Sequence, residues 1–257
     1  MKFGFCKIIN AKAFGADFAE LNALGVLLMN DEQLSALKNS VEQGEIPVYS
    51  ANSLVPADVR LTGPDVDYEK IRAHSEKCFG ILNDLGVKIL VFGSGTAKHV
   101  PDGFPMEKAW EQLVKVGQIF SEVAEKYGQT VAIEGLNRGE CNIINTLSDV
   151  YEYVVRINRS NVLMLADFYH MYRNGEPISD IKKYKDHLAH CHIAGYLNRS
   201  VPIEEELGFV RECITALKKI DYQGGLSFEG RSDIEKPHEI ISMFNTFRQF
   251  ADTSDEK

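Results

Sequence analysis

The sequence lacks the cysteine patterns that mark disulfide-stapled and zinc-ribbon proteins. It has no CxxC pair, and its cysteines number five, so they cannot all pair within the chain. Several of these thiols lie inside apolar runs, where small buried cysteines are common. We expect no signal peptide, because the sequence enters a predicted strand within its first residues. These features predict a protein of the reducing cytoplasm.

Two further absences narrow the range of partners. The formal net charge is −9 and no dense run of Lys and Arg occurs, whereas a protein that follows a nucleic-acid backbone usually carries a basic face. No apolar run approaches the roughly 18 residues that a membrane-spanning helix needs. We therefore expect a small-molecule substrate, no nucleic acid and no membrane. A homo-oligomer is compatible with the sequence.

The chain does contain a regular alternation of short apolar runs and amphipathic stretches. Strands are predicted at residues 2–7, 18–22, 46–54, 87–92, 131–134, 162–167, 188–192 and 226–229. Helices are predicted at residues 31–43, 68–85, 106–127, 146–158, 178–186, 203–220 and 237–250, with a short helical link at 10–15. Strands that are apolar on both faces are typical of a parallel sheet.

This alternation, in a chain of 257 residues, predicts an α/β protein with one (β/α)8 TIM barrel domain over residues 1–257. We expect residues 251–257 to form a frayed tail. The main competitor is an open, doubly wound sheet. It is disfavoured because no GxGxxG turn follows the first strand. In addition, polar residues end strands all around the chain, whereas an open sheet gathers them at the one point where its strand order reverses.

A potential metal ligand ends each of the last four predicted strands. These ligands are Glu134, Asp167, His192 and Glu229, which lie 33, 25 and 37 residues apart. Each interval is about the length of one βαβ unit. Because the carboxyl ends of barrel strands meet at one rim, where active sites are built, we expect the four side chains to converge there.

Strand alternation predicts which neighbours share the inward face with these ligands. Ala132 and Leu165 would point into the barrel beneath them, whereas Cys191 and Ile193 would face the helices. His190 would also point inward, below His192. His190 could be a hydrogen-bonded histidine of the core, or it could hold the neighbouring metal ligand in place. We favour the core histidine.

Three carboxylates and one imidazole form a hard, mostly oxygen donor set. Such a set suits Mn²⁺ or Mg²⁺ with further oxygen ligands, and the imidazole favours Mn²⁺, with Co²⁺ or Zn²⁺ as alternatives. Three clustered carboxylates without a cation would repel one another strongly. The pattern therefore predicts one divalent metal ion.

Several motifs resemble the xylose isomerase-like barrel superfamily, in the sugar isomerase/epimerase branch that includes ketose 3-epimerases and hydroxypyruvate isomerases. Residues 133–140 read IEGLNRGE and resemble the E-x-x-N-R-x-E stretch of that family. Residues 167–171 (DFYHM), 190–194 (HCHIA) and 228–230 (FEG) resemble three further motifs, and Asn198 with Arg199 resembles its Asn-Arg pair.

The resemblance implies a role for each matching residue. Glu134 and Glu229 would be catalytic acid/base groups, and both would bind the metal together with Asp167 and His192. Glu140, His170 and Arg199 would bind the substrate. The implied activity is that of a metal-dependent sugar isomerase or epimerase. It would act on a ketose or related hydroxy-carbonyl compound through a metal-stabilised enediolate.

Two departures from the family pattern leave the substrate unidentified. Residues 194–199 are one residue longer than the family segment, and the Pro-Gly-x-Gly loop that often follows is replaced by Ser-Val-Pro-Ile at residues 200–203. The alternatives within the superfamily are a lyase or dehydratase, a C-glycoside-cleaving enzyme and a zinc-dependent abasic-site endonuclease. The endonuclease would need more histidines and a basic groove. A non-catalytic sugar-binding barrel is a further alternative.

Overall fold

Eight parallel strands close into a barrel in the computed structural model, which describes residues 1–7 and 10–253. The strands are β1 (Lys2–Phe5), β2 (Phe18–Asn22), β3 (Val48–Asn52), β4 (Ile89–Phe92), β5 (Thr130–Glu134), β6 (Val162–Asp167), β7 (Leu188–Ile193) and β8 (Gly225–Phe228). The last strand pairs with the first, which places Gly4 beside Ser227 and Phe5 beside Phe228. The predicted (β/α)8 fold is confirmed.

Helices surround this barrel on its outer side. They are α1 (Ala23–Leu27), α2 (Asp31–Glu42), α3 (Tyr68–Asp84), α4 (Gly95–Lys98), α5 (Met106–Glu125), α6 (Leu147–Ile157), α7 (Phe168–Asn174), α8 (Leu207–Lys219) and α9 (Pro237–Asp252). Short 3-10 segments occur at Ala11–Phe14, Ile178–His187 and Glu204–Glu206. Within the described part of the chain, no helix is both long and apolar enough to cross a membrane.

Three helices were absent from the sequence prediction, namely α1, α4 and α7. Each has seven residues or fewer, too short to show the repeated apolar spacing by which a helix is recognised. The helix α7 matters most, because it begins directly after β6 and carries His170.

Some predicted boundaries were also wrong. The strand predicted at 46–54 is confined to Val48–Asn52, and the segment predicted as an α-helix at 178–186 is a 3-10 segment with a non-helical Tyr184. The predicted tail begins inside α9, which continues to Asp252. Residues 254–257 lie outside the described residues.

Local capping fixes where two of the helices begin. Asn30 accepts a hydrogen bond from the Gln33 main-chain N–H, and the Gln33 side chain accepts one from Asn30. Thr146 and Asp149 make the same reciprocal pair at the start of α6. Each pair satisfies main-chain N–H groups that the first helical turn leaves without partners.

Apolar side chains form two layers around the strands. The inner layer fills the barrel and consists of Ile89, Val91, Ala132 and Leu165. The outer layer lies between strands and helices and includes Cys191 and Ile193. The predicted alternation of inward and outward side chains is therefore correct for β5, β6 and β7. All five cysteines are free thiols.

Close packing of α5 against α6 depends on Gly117. A Cβ atom at this position would lie 2.3 Å from Ile157 Cδ1 and 3.0 Å from Tyr153 Oη. Ile157 and Tyr153 are both fully buried, so neither has open space into which to move. The missing side chain therefore allows the two helices to approach each other.

We predict that Gly117→Ala lowers the free energy of unfolding by about 1–2 kcal/mol, because overpacking outweighs the better helix propensity of alanine. Gly208→Ala is the matched control, since a Cβ atom there meets no heavy atom within 4 Å. It should be neutral or stabilising by about 0.5 kcal/mol. Urea denaturation measures both variants. An unchanged midpoint for Gly117→Ala would contradict the packing argument.

Candidate metal centre and active site

The four predicted metal ligands converge at the carboxyl ends of β5 to β8. His192 Nδ1 lies 3.3 Å from Glu134 Oε1, 3.3 Å from Glu229 Oε2 and 4.0 Å from Asp167 Oδ2. One donor atom from each of the four residues lies within 4.8 Å of all the others. A cation with bonds of about 2.1 Å places adjacent octahedral ligands about 3 Å apart, so the spacing fits a small divalent ion.

The orientation of His192 is set by Glu20 on β2. His192 Nε2 lies 2.9 Å from Glu20 Oε1, and both side chains are fully buried. An ionised carboxylate can only accept, so Nε2 carries the hydrogen and Nδ1 presents its lone pair to the three carboxylates. His192 Nδ1 and Glu134 Oε1 are buried and find no hydrogen-bond partner among the described residues. Two lone-pair atoms that face one centre without such a partner fit a bound cation.

A proton competes with a cation for this nitrogen. Burial lowers the pKa of the His192 imidazole, but the charges of Glu20 and Glu229 outweigh it and hold the pKa well above its ordinary value. The pKa of Glu20 lies well below its ordinary value, because both neighbouring histidines outweigh the effect of burial.

One carboxylate oxygen of Asp167 caps the N-terminus of α7, and the other faces the candidate metal centre. Its Oδ1 accepts hydrogen bonds from the main-chain N–H groups of Tyr169 at 2.7 Å and His170 at 3.2 Å. This N-cap fixes the carboxylate plane and leaves Oδ2 facing His192. Burial raises the pKa of Asp167, but nearby His170 and Arg199 outweigh it and lower the pKa.

Glu134 and Glu229 occupy different electrostatic surroundings. Glu134 is nearly fully buried and packs so closely over Gly93 that a Cβ atom there would lie 2.2 Å from its Oε2. Burial raises the pKa of Glu134. Glu229 accepts from Asn52 Nδ2 at 3.0 Å and from Arg199 Nη2 at 2.5 Å. Burial opposes the shift, but His192 and Arg199 lower the pKa of Glu229.

His170 is held as a donor toward the same centre. Its Nδ1 lies 3.2 Å from the main-chain N–H of Asn137, which can only donate, so Nδ1 is the acceptor. In the neutral ring the hydrogen is therefore on Nε2, which lies 3.6 Å from Asp167 Oδ2. The side chain of Asn137 also donates to Glu140 Oε1 at 2.8 Å. Asn137 thus links two of the three predicted substrate-binding residues.

Arg199 lies across the mouth of the centre. Its guanidinium pairs with the carboxylates of Glu229, Glu140 at 3.4 Å and Asp167 at 3.5 Å. Its Nη2 also lies 3.3 Å from His170 Nε2, but both groups are donors in this tautomer, so they do not hydrogen-bond directly. Its main chain adopts φ +47°, a conformation that a non-glycine residue rarely holds. Glu140 is the outermost member, with 41% of its side chain exposed. All seven predicted site residues thus belong to one cluster of contacting side chains, and Glu134, Glu140, Arg199 and Glu229 line the cleft above it.

A family model for the xylose isomerase-like TIM barrel matches residues 8–249. The chain belongs to the xylose isomerase-like TIM barrel family. The D-psicose 3-epimerase of Ruminiclostridium cellulolyticum is a relative with 26% identity over 249 residues, covering 95% of this chain and 83% of that protein. Other curated relatives are also named epimerases or isomerases. The chain is accordingly an enzyme of the isomerase and epimerase class.

Solved structures share the fold of this xylose isomerase-like barrel. The D-psicose 3-epimerase of Clostridium cellulolyticum, crystallised with D-tagatose, has a TM-score of 0.82 at 22% identity, covering 98% of this chain and all of that one. The IOLI protein with a bound zinc atom has a TM-score of 0.68 at 20% identity, covering 97% and 96%. At these identities the likeness establishes the fold.

His190 is a buried member of the barrel core and shares Glu20 with His192. Its Nε2 lies 2.8 Å from Glu20 Oε2 and 3.0 Å from Ser227 Oγ. Ser50 also donates to Glu20 Oε2, at 2.7 Å. The contacts of Nε2 agree with the favoured interpretation of His190 as a hydrogen-bonded core histidine, whereas its Nδ1 has no hydrogen-bond partner among the described residues.

Sequence reasoning missed four residues that support the centre, namely Glu20, Asn52, Asn137 and Lys98. Lys98 is fully buried and donates to the Glu134 main-chain carbonyl at 3.0 Å. Burial lowers the pKa of this lysine. Glu20 could have been found, since it is a charged residue between the apolar Ala19 and Leu21 of a predicted strand. Lys98 gave no such signal, because it follows a turn where exposed lysines are common.

We predict that Glu20→Gln weakens Mn²⁺ binding about 10- to 100-fold, because the amide no longer imposes the tautomer that leaves His192 Nδ1 unprotonated. Isothermal titration calorimetry on metal-stripped protein measures the affinity. Ser50→Ala is the control, since it removes one hydrogen bond from the Glu20 oxygen that does not contact His192. It should change the affinity much less. Equal affinities for Glu20→Gln and the parent protein would refute the role of Glu20.

Proposed function

We propose that the chain is a divalent-metal-dependent sugar epimerase or isomerase that acts on a ketose or a related small hydroxy-carbonyl compound. The observation that carries this proposal is the convergence of Glu134, Asp167, His192 and Glu229, with two buried donor atoms left unpartnered. The named activity of the D-psicose 3-epimerase relative supports the same reaction class.

Glu134, Asp167, His192 and Glu229 would hold the cation. Three carboxylates favour a hard ion, and we propose Mn²⁺, with Mg²⁺, Co²⁺ or Zn²⁺ as alternatives. When bound, the cation would polarise a carbonyl group and offset the negative charge that develops on oxygen. A fixed charge at this position costs no reorganisation during the reaction.

Two carboxylates next to the same centre allow proton removal and return by different groups. One of Glu134 and Glu229 would take the proton from the carbon next to the carbonyl group, and the C–H electron pair would pass into an enediolate. The other glutamate would return a proton to the opposite face, which inverts the carbon. Return to the adjacent carbon, with transfer of a hydroxyl proton, would instead give isomerisation.

The two glutamates differ in burial and in hydrogen bonding. Glu134 is the more deeply buried, with 6% of its side chain exposed against 24% for Glu229. Water exclusion strengthens a carboxylate as a base. Glu229 is held by Asn52 and Arg199 on its two oxygens. We assign proton removal and return to this pair without fixing the order.

Glu140, His170 and Arg199 would orient the substrate. His170 Nε2–H and the Arg199 guanidinium are donors directed into the cleft, whereas Glu140 is an acceptor at its rim. Donors and acceptors at fixed positions can distinguish the hydroxyl groups of a sugar. The cytoplasmic location and the homo-oligomeric state stay predictions.

We predict that Glu134→Gln and Glu229→Gln each reduce solvent deuterium exchange into a ketohexose by about 100-fold or more, since glutamine cannot accept the proton. Proton NMR in D₂O with added Mn²⁺ measures the exchange. Asp84→Asn serves as control, because this exposed carboxylate pairs with Lys38 on the outer surface. Exchange at the parent rate in both glutamate variants would exclude them as the acid/base pair.

A further inference from the structure

The cleft continues beyond the candidate centre toward the ends of β1 and β8. This part forms a pocket of about 500 Å³ that includes Cys6, Lys7, Asn22, Asn198 and Arg231. It also borders Arg199 and Glu229, so it is continuous with the reacting centre. A substrate that reaches the metal ligands with one end can therefore place its other end in this pocket.

Two cations in this pocket have no carboxylate partner within the part of the chain that the structure describes. Among the ion pairs formed by residues 1–7 and 10–253, none includes Lys7 or Arg231. The one carboxylate that lines the pocket is Glu229, whose charge is already matched by Arg199 at 2.5 Å. The positive charge is local, since the whole chain carries a net charge of −9.

Arg231 is exposed, but its side chain is anchored by hydrogen bonds. Its Nε and Nη2 donate to the Asn198 main-chain carbonyl at 3.2 and 2.6 Å. Its main-chain N–H donates to the Arg199 carbonyl at 2.7 Å, and its carbonyl accepts from Val201 at 3.2 Å. A neutral carbonyl anchors the guanidinium without cancelling its charge, which leaves Nη1 for a further acceptor.

The opposite side of the cleft is lined by carboxylates rather than by cations. A pocket of about 320 Å³ over the ends of β3 to β5 is lined by Glu134 and Glu140. It shares Arg199 and Glu229 with the first pocket, so the two meet above the centre. The cleft is therefore acidic at one end and cationic at the other. This polarity distinguishes the two ends of a bound molecule.

We propose that the substrate is anionic, a hydroxy-carbonyl compound whose terminal carboxylate or phosphate binds beside Lys7 and Arg231. This inference rests on the proposed function, because the carbonyl end is placed at Glu134 and Glu229. The anion would accept from the Arg231 guanidinium and the Lys7 ammonium, with Asn22 and Asn198 lining the same pocket. A neutral sugar would leave both cations uncompensated.

D-fructose and two of its derivatives, which differ from it only at C6, test the proposal. D-fructose carries a hydroxymethyl group there, D-fructose 6-phosphate a phosphate ester and D-fructuronate a carboxylate. Isothermal titration calorimetry at fixed free Mn²⁺ gives the dissociation constant of each. We expect at least one anionic probe to bind about tenfold more tightly than D-fructose. Preference for the phosphate would indicate a sugar phosphate, and preference for the carboxylate a sugar acid.

Substitutions of Lys7 and Arg231 then test whether these two residues cause the preference for an anionic probe. The ratio of neutral to anionic dissociation constants should fall about threefold in Lys7→Gln and in Arg231→Gln, and approach one in the double variant. Taking the ratio within each variant cancels a general loosening of the pocket, and Lys7→Gln alone suffices if Arg231→Gln does not fold. Lys126→Gln is the charge-matched control, because Lys126 pairs with Glu76 elsewhere on the surface. It should leave the ratio unchanged.

Two results would overturn the proposal, namely equal binding of all three probes by the parent protein or an undiminished preference in the double variant. Deuterium exchange into each of the three probes is measured separately. Exchange without an anion preference would remove the anionic subsite and leave the proposed reaction standing. An anion preference without exchange into any probe would retain the subsite and remove the proposed reaction.

Discussion

The hydrogen bond between Glu20 and His192 is the interaction on which the centre depends. At 2.9 Å it fixes the hydrogen on Nε2 and directs the Nδ1 lone pair toward Glu134, Asp167 and Glu229. The second oxygen of the same carboxylate accepts from His190, Ser50 and Ser227, so its orientation is set from β7, β3 and β8. A buried charge is retained here because every contact to it comes from a donor.

Strand geometry explains why four distant residues meet. Parallel strands in closed order bring their carboxyl ends to one rim, and alternation sends Glu134, Asp167, His192 and Glu229 inward. The segments that follow β6 and β7 then add His170 and Arg199 to the site. The helix α7 begins on the Asp167 cap and brings His170 to the centre, while the loop after β7 carries Arg199 across the mouth.

The sequence allowed prediction of the barrel, its order of elements and the four strand-end residues, because strand parity and βαβ spacing are periodic signals. It did not allow prediction of α7, since a helix begun by one aspartate cap and seven residues long has no visible period. The support by Glu20 was also missed. That contact joins β2 to β7 across the barrel, 172 residues apart, and no local pattern reports such a pairing. No motif in the sequence distinguishes Lys7 and Arg231 from ordinary surface charges, and only the fold brings them into one pocket.

Anomalous X-ray diffraction from crystals grown with Mn²⁺ would test the proposed metal centre most directly. The arrangement of the four donor atoms predicts one strong peak between them, about 2.1–2.3 Å from His192 Nδ1 and from an oxygen of each carboxylate. A peak bound elsewhere on the chain, or no peak at this centre at a saturating Mn²⁺ concentration, would contradict the proposed centre and the chemistry derived from it.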